Sequence, residues 1–107
     1  MKRAFLTLLL LLPLAALANS VPEFTLTIEQ HKFTPNSLTV PANTRIKLTV
    51  INKDSTPEEF ESNEFNVEKI VMPKGKITLY VGPLKPGSYK FFGEFHMDTA
   101  LGTLIAE

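Results

Sequence analysis

Two histidines and a group of carboxylates are the side chains of this chain best suited to chemistry. His96 lies in a short polar run with Glu94, and His31 lies in a second polar segment. Glu58 and Glu59 form an adjacent acidic pair between these two segments. Imidazole is a ligand for copper, iron and zinc, whereas carboxylates favour harder and more oxidised ions. The residue types therefore predict a metal site with ligands drawn from His96, Glu94, Glu59, Glu58 and His31.

The chain contains no cysteine, which restricts the chemistry of such a site. A blue-copper centre needs a thiolate in its trigonal ligand set, and thiol nucleophiles and most zinc-finger sites need cysteine as well. None of the serines lies in the Gly-x-Ser-x-Gly setting of a nucleophile elbow. The expected cofactor is therefore copper and/or iron, bound in a non-blue site.

Each of these residues also has an ordinary interpretation. A single histidine in a loop is more often a surface residue than a ligand, and His31 lies in a segment that resembles any polar turn. Glutamates at a strand edge discourage edge-to-edge pairing. Met97 is a soft donor, but a methionine beside Phe95 more often serves packing. The metal-site hypothesis therefore depends on the elements that would bring the candidate ligands together.

Alternation of apolar and polar residues identifies those elements. Short strands are predicted, with turn residues such as proline, glycine and asparagine between them. This pattern is typical of an all-β Greek-key sandwich of seven to eight strands. The polar segments that carry the candidate ligands fall at strand ends, where they could cluster at one pole of the sandwich. The predicted strands cover residues 24–28, 37–40, 45–51, 76–81, 89–91 and 103–106, and residues 64–71 fit either a strand or a helical turn.

Residues 1–18 have the features of a Sec-type signal peptide. A basic start precedes an apolar run over residues 4–12, and Ala16-Leu17-Ala18 provides the small residues of a cleavage site. The apolar run is shorter than a typical membrane span, which makes a retained anchor the weaker alternative. We therefore expect signal cleavage, a periplasmic location without membrane insertion, and a single domain over residues 19–107.

The composition of the mature chain excludes one class of partner and indicates the core. Removal of Lys2 and Arg3 leaves nine basic against eleven acidic residues, a formal charge of −2. This balance offers no electrostatic footprint for nucleic acid. A domain of about 90 residues can bury one marginal core. Seven phenylalanines follow the signal, and Phe91, Phe92 and Phe95 are expected to line the core and shield the loop that carries His96.

The segment Tyr89-Lys-Phe-Phe-Gly-Glu-Phe-His96 resembles the cupredoxin signature Tyr-x-Phe-x-Cys-x-x-His. The tyrosine, the phenylalanine and the histidine fall in register, whereas Gly93 stands at the cysteine position. The position of the usual axial methionine falls near Leu101. Upstream, Glu58 stands where the first copper histidine of cupredoxins would be. The resemblance implies a cupredoxin-like sandwich that keeps one of its four usual copper ligands.

The match is closer to one branch of that family. Thr56-Pro-Glu-Glu-Phe-Glu-Ser62 and Phe91-Phe-Gly-Glu-Phe-His96 are similar to segments of the small periplasmic cupredoxins that accompany high-affinity iron permeases, of the EfeO and Ftr types. This branch implies that Glu59 is a metal ligand, whereas the general cupredoxin pattern favours Glu58. Adjacent residues of a strand face opposite sides, so Glu58 would share the side of Phe60. Both glutamates remain candidates, with Glu59 slightly preferred.

The resemblance implies a periplasmic metal-binding accessory protein of an iron-uptake system, with an iron permease among its partners. It would aid the oxidation of ferrous iron or the delivery of ferric iron, so an enzymatic role as a ferroxidase-type accessory stays open. Two alternatives remain beside it. One is a periplasmic copper carrier without an iron role, and the other is a structural sandwich whose metal site has decayed.

Overall fold

The computed structural model of the protein describes residues 20–107, and the expected signal peptide over residues 1–18 lies outside the described residues. Within the described part, the regular structure is β-strand together with one short 3-10 helix, Glu94–His96. The strands number nine, rather than the seven to eight that we expected. They are β1 (Glu23–Glu29), β2 (Lys32–Thr34), β3 (Ser37–Val40), β4 (Ile46–Asn52), β5 (Glu58–Ser62), β6 (Val67–Val71), β7 (Lys76–Val81), β8 (Gly87–Gly93) and β9 (Leu101–Ala106).

The nine strands form two sheets, which confirms the expected all-β sandwich. One sheet has the order β2-β1-β4-β7 and the other has the order β3-β9-β8-β5-β6. β1 pairs in parallel with β4, β3 pairs in parallel with β9, and the remaining pairs are antiparallel. In the five-stranded sheet Phe60 of β5 lies opposite Gly93 of β8. The start of β5 therefore lies beside the end of β8, where the 3-10 helix begins.

The core lies between the sheets and follows from the alternation in each strand. In β4 the apolar residues Ile46, Leu48 and Val50 are at most 1% exposed, while their polar neighbours face outward. Aromatic rings fill the space on the inner face of the five-stranded sheet: the rings of Phe60 and Phe91 lie 5.4 Å apart between centroids. Apolar burial of this kind contributes about 1.5–3 kcal/mol for each large side chain. This inner face of β5 also holds the start of the candidate site.

Two local expectations need correction, and one that was left open is decided in favour of a strand. The segment around Phe33 was expected to be a turn, but it forms the short strand β2, which pairs with β1 through Ile28 opposite Phe33. Residues 64–71, which fitted a strand or a helical turn, contain a turn followed by the strand β6. Phe91 is buried as expected, whereas Phe92 is half-buried and Phe95 is 47% exposed. Phe95 therefore lies at the surface instead of lining the core.

A buried asparagine shapes the loop between β4 and β5. Asn52, at the end of β4, is 1% exposed, and its Nδ2 donates to the carbonyl oxygens of Thr56 at 2.9 Å and Val71 at 3.1 Å. Its Oδ1 accepts a hydrogen bond from the N–H of Asp54 at 3.0 Å. One side chain thus joins β4, β6 and the loop that leads into Glu58.

We expect Asn52→Ala to lower the free energy of unfolding by about 2–3 kcal/mol, because three backbone groups lose their buried partner. Urea denaturation followed by circular dichroism measures the change. Asn63→Ala is the matched control: Asn63 is exposed, and its substitution should change stability by less than about 0.5 kcal/mol. Equal effects of the two substitutions would contradict the role assigned to Asn52.

Candidate metal centre

Three segments meet at one pole of the sandwich, and each contributes a titratable side chain. His31 lies in the turn between β1 and β2, Glu58 begins β5, and His96 ends the 3-10 helix that follows β8. The rings of His31 and His96 are stacked, with centroids 3.5 Å apart and planes inclined by 11°. His96 Nδ1 lies 2.6 Å from Glu58 Oε2. The structure thus brings together three of the five candidate ligands, from positions far apart in the sequence.

Glu58 is the centre of the hydrogen bonding at this pole. Its side chain is 2% exposed, and its Oε1 accepts hydrogen bonds from the N–H groups of Glu59 at 3.0 Å and Phe95 at 2.9 Å. Its Oε2 lies 2.6 Å from Nδ1 of His96. Buried carboxylates are tolerated when they are paired and hydrogen-bonded, and this one has a partner for each oxygen. Glu58 therefore joins the start of β5 to the 3-10 helix.

Glycine at position 93 leaves the space that the Glu58 carboxyl group fills. An ideal Cβ at Gly93 would lie 2.5 Å from Glu58 Cδ, 2.8 Å from Glu58 Oε1 and 2.8 Å from the Cβ of Ala100. Such distances are far below the contact distance of carbon atoms. The backbone here is also tied down, since Gly93 donates to the carbonyl of Ala100 at 2.8 Å. No larger residue could therefore occupy position 93 without displacing the carboxyl group or its neighbours.

The position of His31 depends on its backbone. His31 adopts the left-handed conformation, with φ of 59°, directly after Gln30 with φ of 54°. The carboxylate of Asp54 accepts the N–H of Gln30 at 2.8 Å and that of His31 at 3.0 Å. Burial acts to raise the pKa of Asp54, but these two hydrogen bonds and the nearby charges outweigh it and lower that pKa. The stabilising contribution of this contact is present at neutral pH and is lost on acidification through the lowered pKa.

Of the other two candidate ligands, Glu59 lies on the opposite face of β5 and Glu94 begins the 3-10 helix. Glu59 and Glu61 alternate with the buried residues of the strand, and carboxylate oxygens of Glu59, Glu61 and Glu94 lie within 4.8 Å of one another. Partial desolvation, followed by the charges of Glu68 and Glu61, raises the pKa of Glu59. Desolvation, followed by the charges of Glu94 and Glu68, raises the pKa of Glu61. Exposed acidic groups of this kind are common without a metal ion.

The structure thus divides the predicted ligand set in two. His96, Glu58 and His31 lie together at the pole, whereas Glu59 and Glu94 belong to the acidic face. Glu58, and not the slightly preferred Glu59, is the glutamate that pairs with His96, and which of the two is a metal ligand stays a prediction. Sequence reasoning also missed the role of Asp54 in placing His31. The sequence does contain a signal that Glu58 points inward, because the apolar Phe60 lies on the same side of the strand.

Comparison with known proteins identifies the family. A family model described as a cupredoxin-like domain matches residues 2–106. The chain belongs to the cupredoxin-like domain family. An uncharacterized protein of Rickettsia prowazekii (strain Madrid E), RP394, is 49% identical over 87 residues, which cover 81% of this chain and 70% of that protein.

Solved cupredoxin structures share the fold at low sequence identity. Auracyanin A, a blue copper protein from Chloroflexus aurantiacus, superposes with a TM-score of 0.70 at 10% identity, covering 82% of this chain and 100% of that one. Amicyanin from Paracoccus versutus gives a TM-score of 0.61 at 18% identity, covering 84% and 83%. A Cu(I) amicyanin mutant gives 0.65 at 15% identity, covering 84% and 88%. These similarities establish the cupredoxin-like sandwich.

The residues at the pole do not fit a blue-copper ion. The chain contains no cysteine, and the space beside Gly93 is filled by the Glu58 carboxyl group. The remaining donors are the imidazoles of His96 and His31 and the carboxylate of Glu58, a set that suits a non-blue ion of copper or iron. The stacked rings cannot both direct an in-plane lone pair at one ion in the arrangement observed.

None of the helices among residues 20–107 is long and apolar enough to cross a membrane.

We expect Gly93→Ala to lower the free energy of unfolding by about 1–3 kcal/mol, because the added methyl group overlaps the Glu58 carboxyl group. The same substitution should cost clearly less in a Glu58→Ala background, where that overlap is absent. Urea denaturation of the four proteins of this double-mutant cycle measures the coupling. An identical cost in both backgrounds would show that Glu58 does not occupy this space.

Glu59 and Glu61 should make stability depend on pH in a defined direction. A carboxyl group whose pKa is raised in the folded state binds more protons folded than unfolded, so stability falls as pH rises from its unfolded pKa, about 4.3. Glu61→Gln should therefore be more stable than the wild type at pH 7, and this gain should vanish near the unfolded pKa and below it. Urea denaturation at both pH values tests this. Glu23→Gln, at the far end of β1, should show no such gain, and a stabilisation of Glu61→Gln that is independent of pH would contradict the charge explanation.

Proposed function

We propose that the protein is a periplasmic metal-binding member of the cupredoxin-like family, which carries one non-blue ion of copper or iron at the pole through His96. The observation that supports this most is the pairing of His96 with the buried Glu58 beside the ring of His31. A carboxylate that hydrogen-bonds an imidazole orients it and raises its basicity as a ligand. The ion would provide redox or Lewis-acid chemistry, and the chain's own residues would hold and orient the imidazole that binds it.

Within that function, we propose a role in iron uptake, with delivery to an iron permease. This follows the similarity of the Thr56–Ser62 and Phe91–His96 segments to cupredoxins of iron-uptake systems, and the signal peptide expected over residues 1–18. The chemistry is consistent, since a site with few soft donors favours the harder, oxidised state of iron or copper. An accessory role in the oxidation of ferrous iron belongs to the same proposal.

Titration of the purified mature protein with Cu(II), followed by electron paramagnetic resonance, tests the metal site. We expect a tetragonal signal with nitrogen hyperfine structure and no intense blue absorption, since no thiolate is present. His96→Asn should weaken binding at least about tenfold, or 1.4 kcal/mol, because asparagine keeps a donor for Glu58 but removes the imidazole. Glu59→Gln should bind within about twofold of the wild type. A loss confined to Glu59→Gln would move the site to the acidic face, equal losses would make both side chains ligands of one ion, and unchanged binding in both would support a decayed site.

Competition between metals separates the iron role from a copper carrier. Tight binding of Cu(II) without measurable binding of Fe(III) would contradict the delivery of ferric iron, and together with an absence of Fe(II) oxidation it would favour the carrier. The Cu(II)-loaded protein, with the bound Cu(II) as one-electron acceptor, should also oxidise Fe(II) faster than buffer with the same free Cu(II). A rate no higher than in buffer would exclude the oxidase role and leave delivery.

A further inference from the structure

The hydrogen bonds of Glu58 determine which nitrogen of His96 is available for a ligand. Oε1 already accepts two backbone N–H groups, and Oε2 faces His96 Nδ1 at 2.6 Å. Two N–H groups donate to this carboxyl group through Oε1, so the side chain acts as an acceptor and the proton of the short contact at Oε2 is assigned to Nδ1. A neutral imidazole protonated at Nδ1 has its free lone pair at Nε2.

We infer that the metal-binding atom of His96 is Nε2, and that the buried Glu58 is a positioning residue instead of a ligand. The inference rests on the function proposed above and specifies its geometry. Glu58 accepts a hydrogen bond from Nδ1–H and fixes the ring plane, while Nε2 lies on the other edge of the ring, in a side chain that is 25% exposed. The ion then binds on the solvent side of the imidazole, outside the space between β5 and β8.

The space between Glu58 Oε2 and His96 Nδ1 is an unfavourable position for an ion. The gap between Glu58 Oε2 and His96 Nδ1 is 2.6 Å, whereas each metal–ligand bond to nitrogen or oxygen is about 2.0–2.2 Å long. Entry of an ion would have to break that hydrogen bond and move the carboxyl group. The fully buried Ala100 lies beside this space, since its Cβ is 2.8 Å from the position of an ideal Cβ at Gly93.

A site at Nε2 is open, which suits the transfer of an ion. The stacked ring of His31 covers one face of His96, and an ion in the plane of the His96 ring would keep coordination positions that water or a partner's donors fill. Binding through one imidazole of this chain permits exchange without unfolding the pole. The substrate class is therefore a labile, oxidised first-row ion with a preference for imidazole nitrogen.

Glu58→Gln provides an isosteric test of the assignment. The amide oxygen of glutamine would accept the two backbone N–H groups that Oε1 accepts now, which leaves the amide NH₂ facing His96. That group can only donate, so Nδ1 becomes the acceptor and the proton moves to Nε2. The substitution should therefore reverse the tautomer of His96 and lower metal affinity by about tenfold or more. Glu59→Gln, one residue along on the other face of β5, should change neither.

Long-range ¹⁵N–¹H correlation spectra of the metal-free protein, followed by titration with diamagnetic Zn²⁺, measure both properties. The expected result is an Nδ1–H tautomer in the wild type and in Glu59→Gln, an Nε2–H tautomer in Glu58→Gln, and a zinc-induced shift of Nε2. An Nε2–H tautomer in the wild type, or a shift of Nδ1, would overturn the inference and leave the proposed function intact. An Nδ1–H tautomer with neither nitrogen shifted by saturating Zn²⁺ would overturn it together with binding at His96.

Discussion

The buried carboxylate of Glu58 is the contact on which the pole depends. It lies at the start of β5, yet its three hydrogen bonds reach its own strand and the 3-10 helix after β8. Removing one partner of a buried, hydrogen-bonded carboxyl group is destabilising, because it leaves a buried polar group without its hydrogen bond. His96 is therefore held in place by a group that the fold cannot easily release. The orientation of the imidazole follows from strand pairing as much as from the loop that carries it.

The residues at positions 58 and 93 depend on each other, because the side chain of Glu58 occupies the space that glycine at position 93 leaves. Glycine at 93 leaves room for a carboxyl group, and the glutamate at 58 fills that room and satisfies the nearby N–H groups. By resemblance to cupredoxins, these are the positions of a copper histidine and of the copper cysteine. Replacing a thiolate by glycine alone would leave a cavity, with a cost that grows with its volume. Here the Glu58 carboxyl group occupies the space beside Gly93, which accounts for a cupredoxin-like fold without a cysteine.

The sequence was sufficient for the sandwich because alternation in strands such as β4 is strong and local. It was insufficient for β2, since three residues before Pro35 carry too little periodicity to outweigh a turn interpretation. For the site, Phe60 contained the information that Glu58 points inward, because successive residues of a strand face opposite sides. The stacking of His31 on His96 joins residues 65 positions apart. It depends on a left-handed turn held by Asp54, which no local pattern revealed.

The two faces of β5 place two different kinds of carboxylate near the imidazole of His96, one buried and one exposed to solvent. Inside, one carboxylate is fully partnered and acts through a hydrogen bond at 2.6 Å. Outside, Glu59, Glu61 and Glu94 repel one another, and this repulsion contributes to the raised pKa of Glu59 and Glu61. A small domain without disulfides has a low free energy of unfolding, so repulsion among these carboxylates is a significant destabilising contribution. The acidic face nevertheless creates a negative potential, effective over about 8 Å at physiological salt, and Glu94 lies two residues from His96. That potential raises the local concentration of cations near the pole, so the acidic face as a whole can speed the encounter with an ion without any of its carboxylates being a ligand.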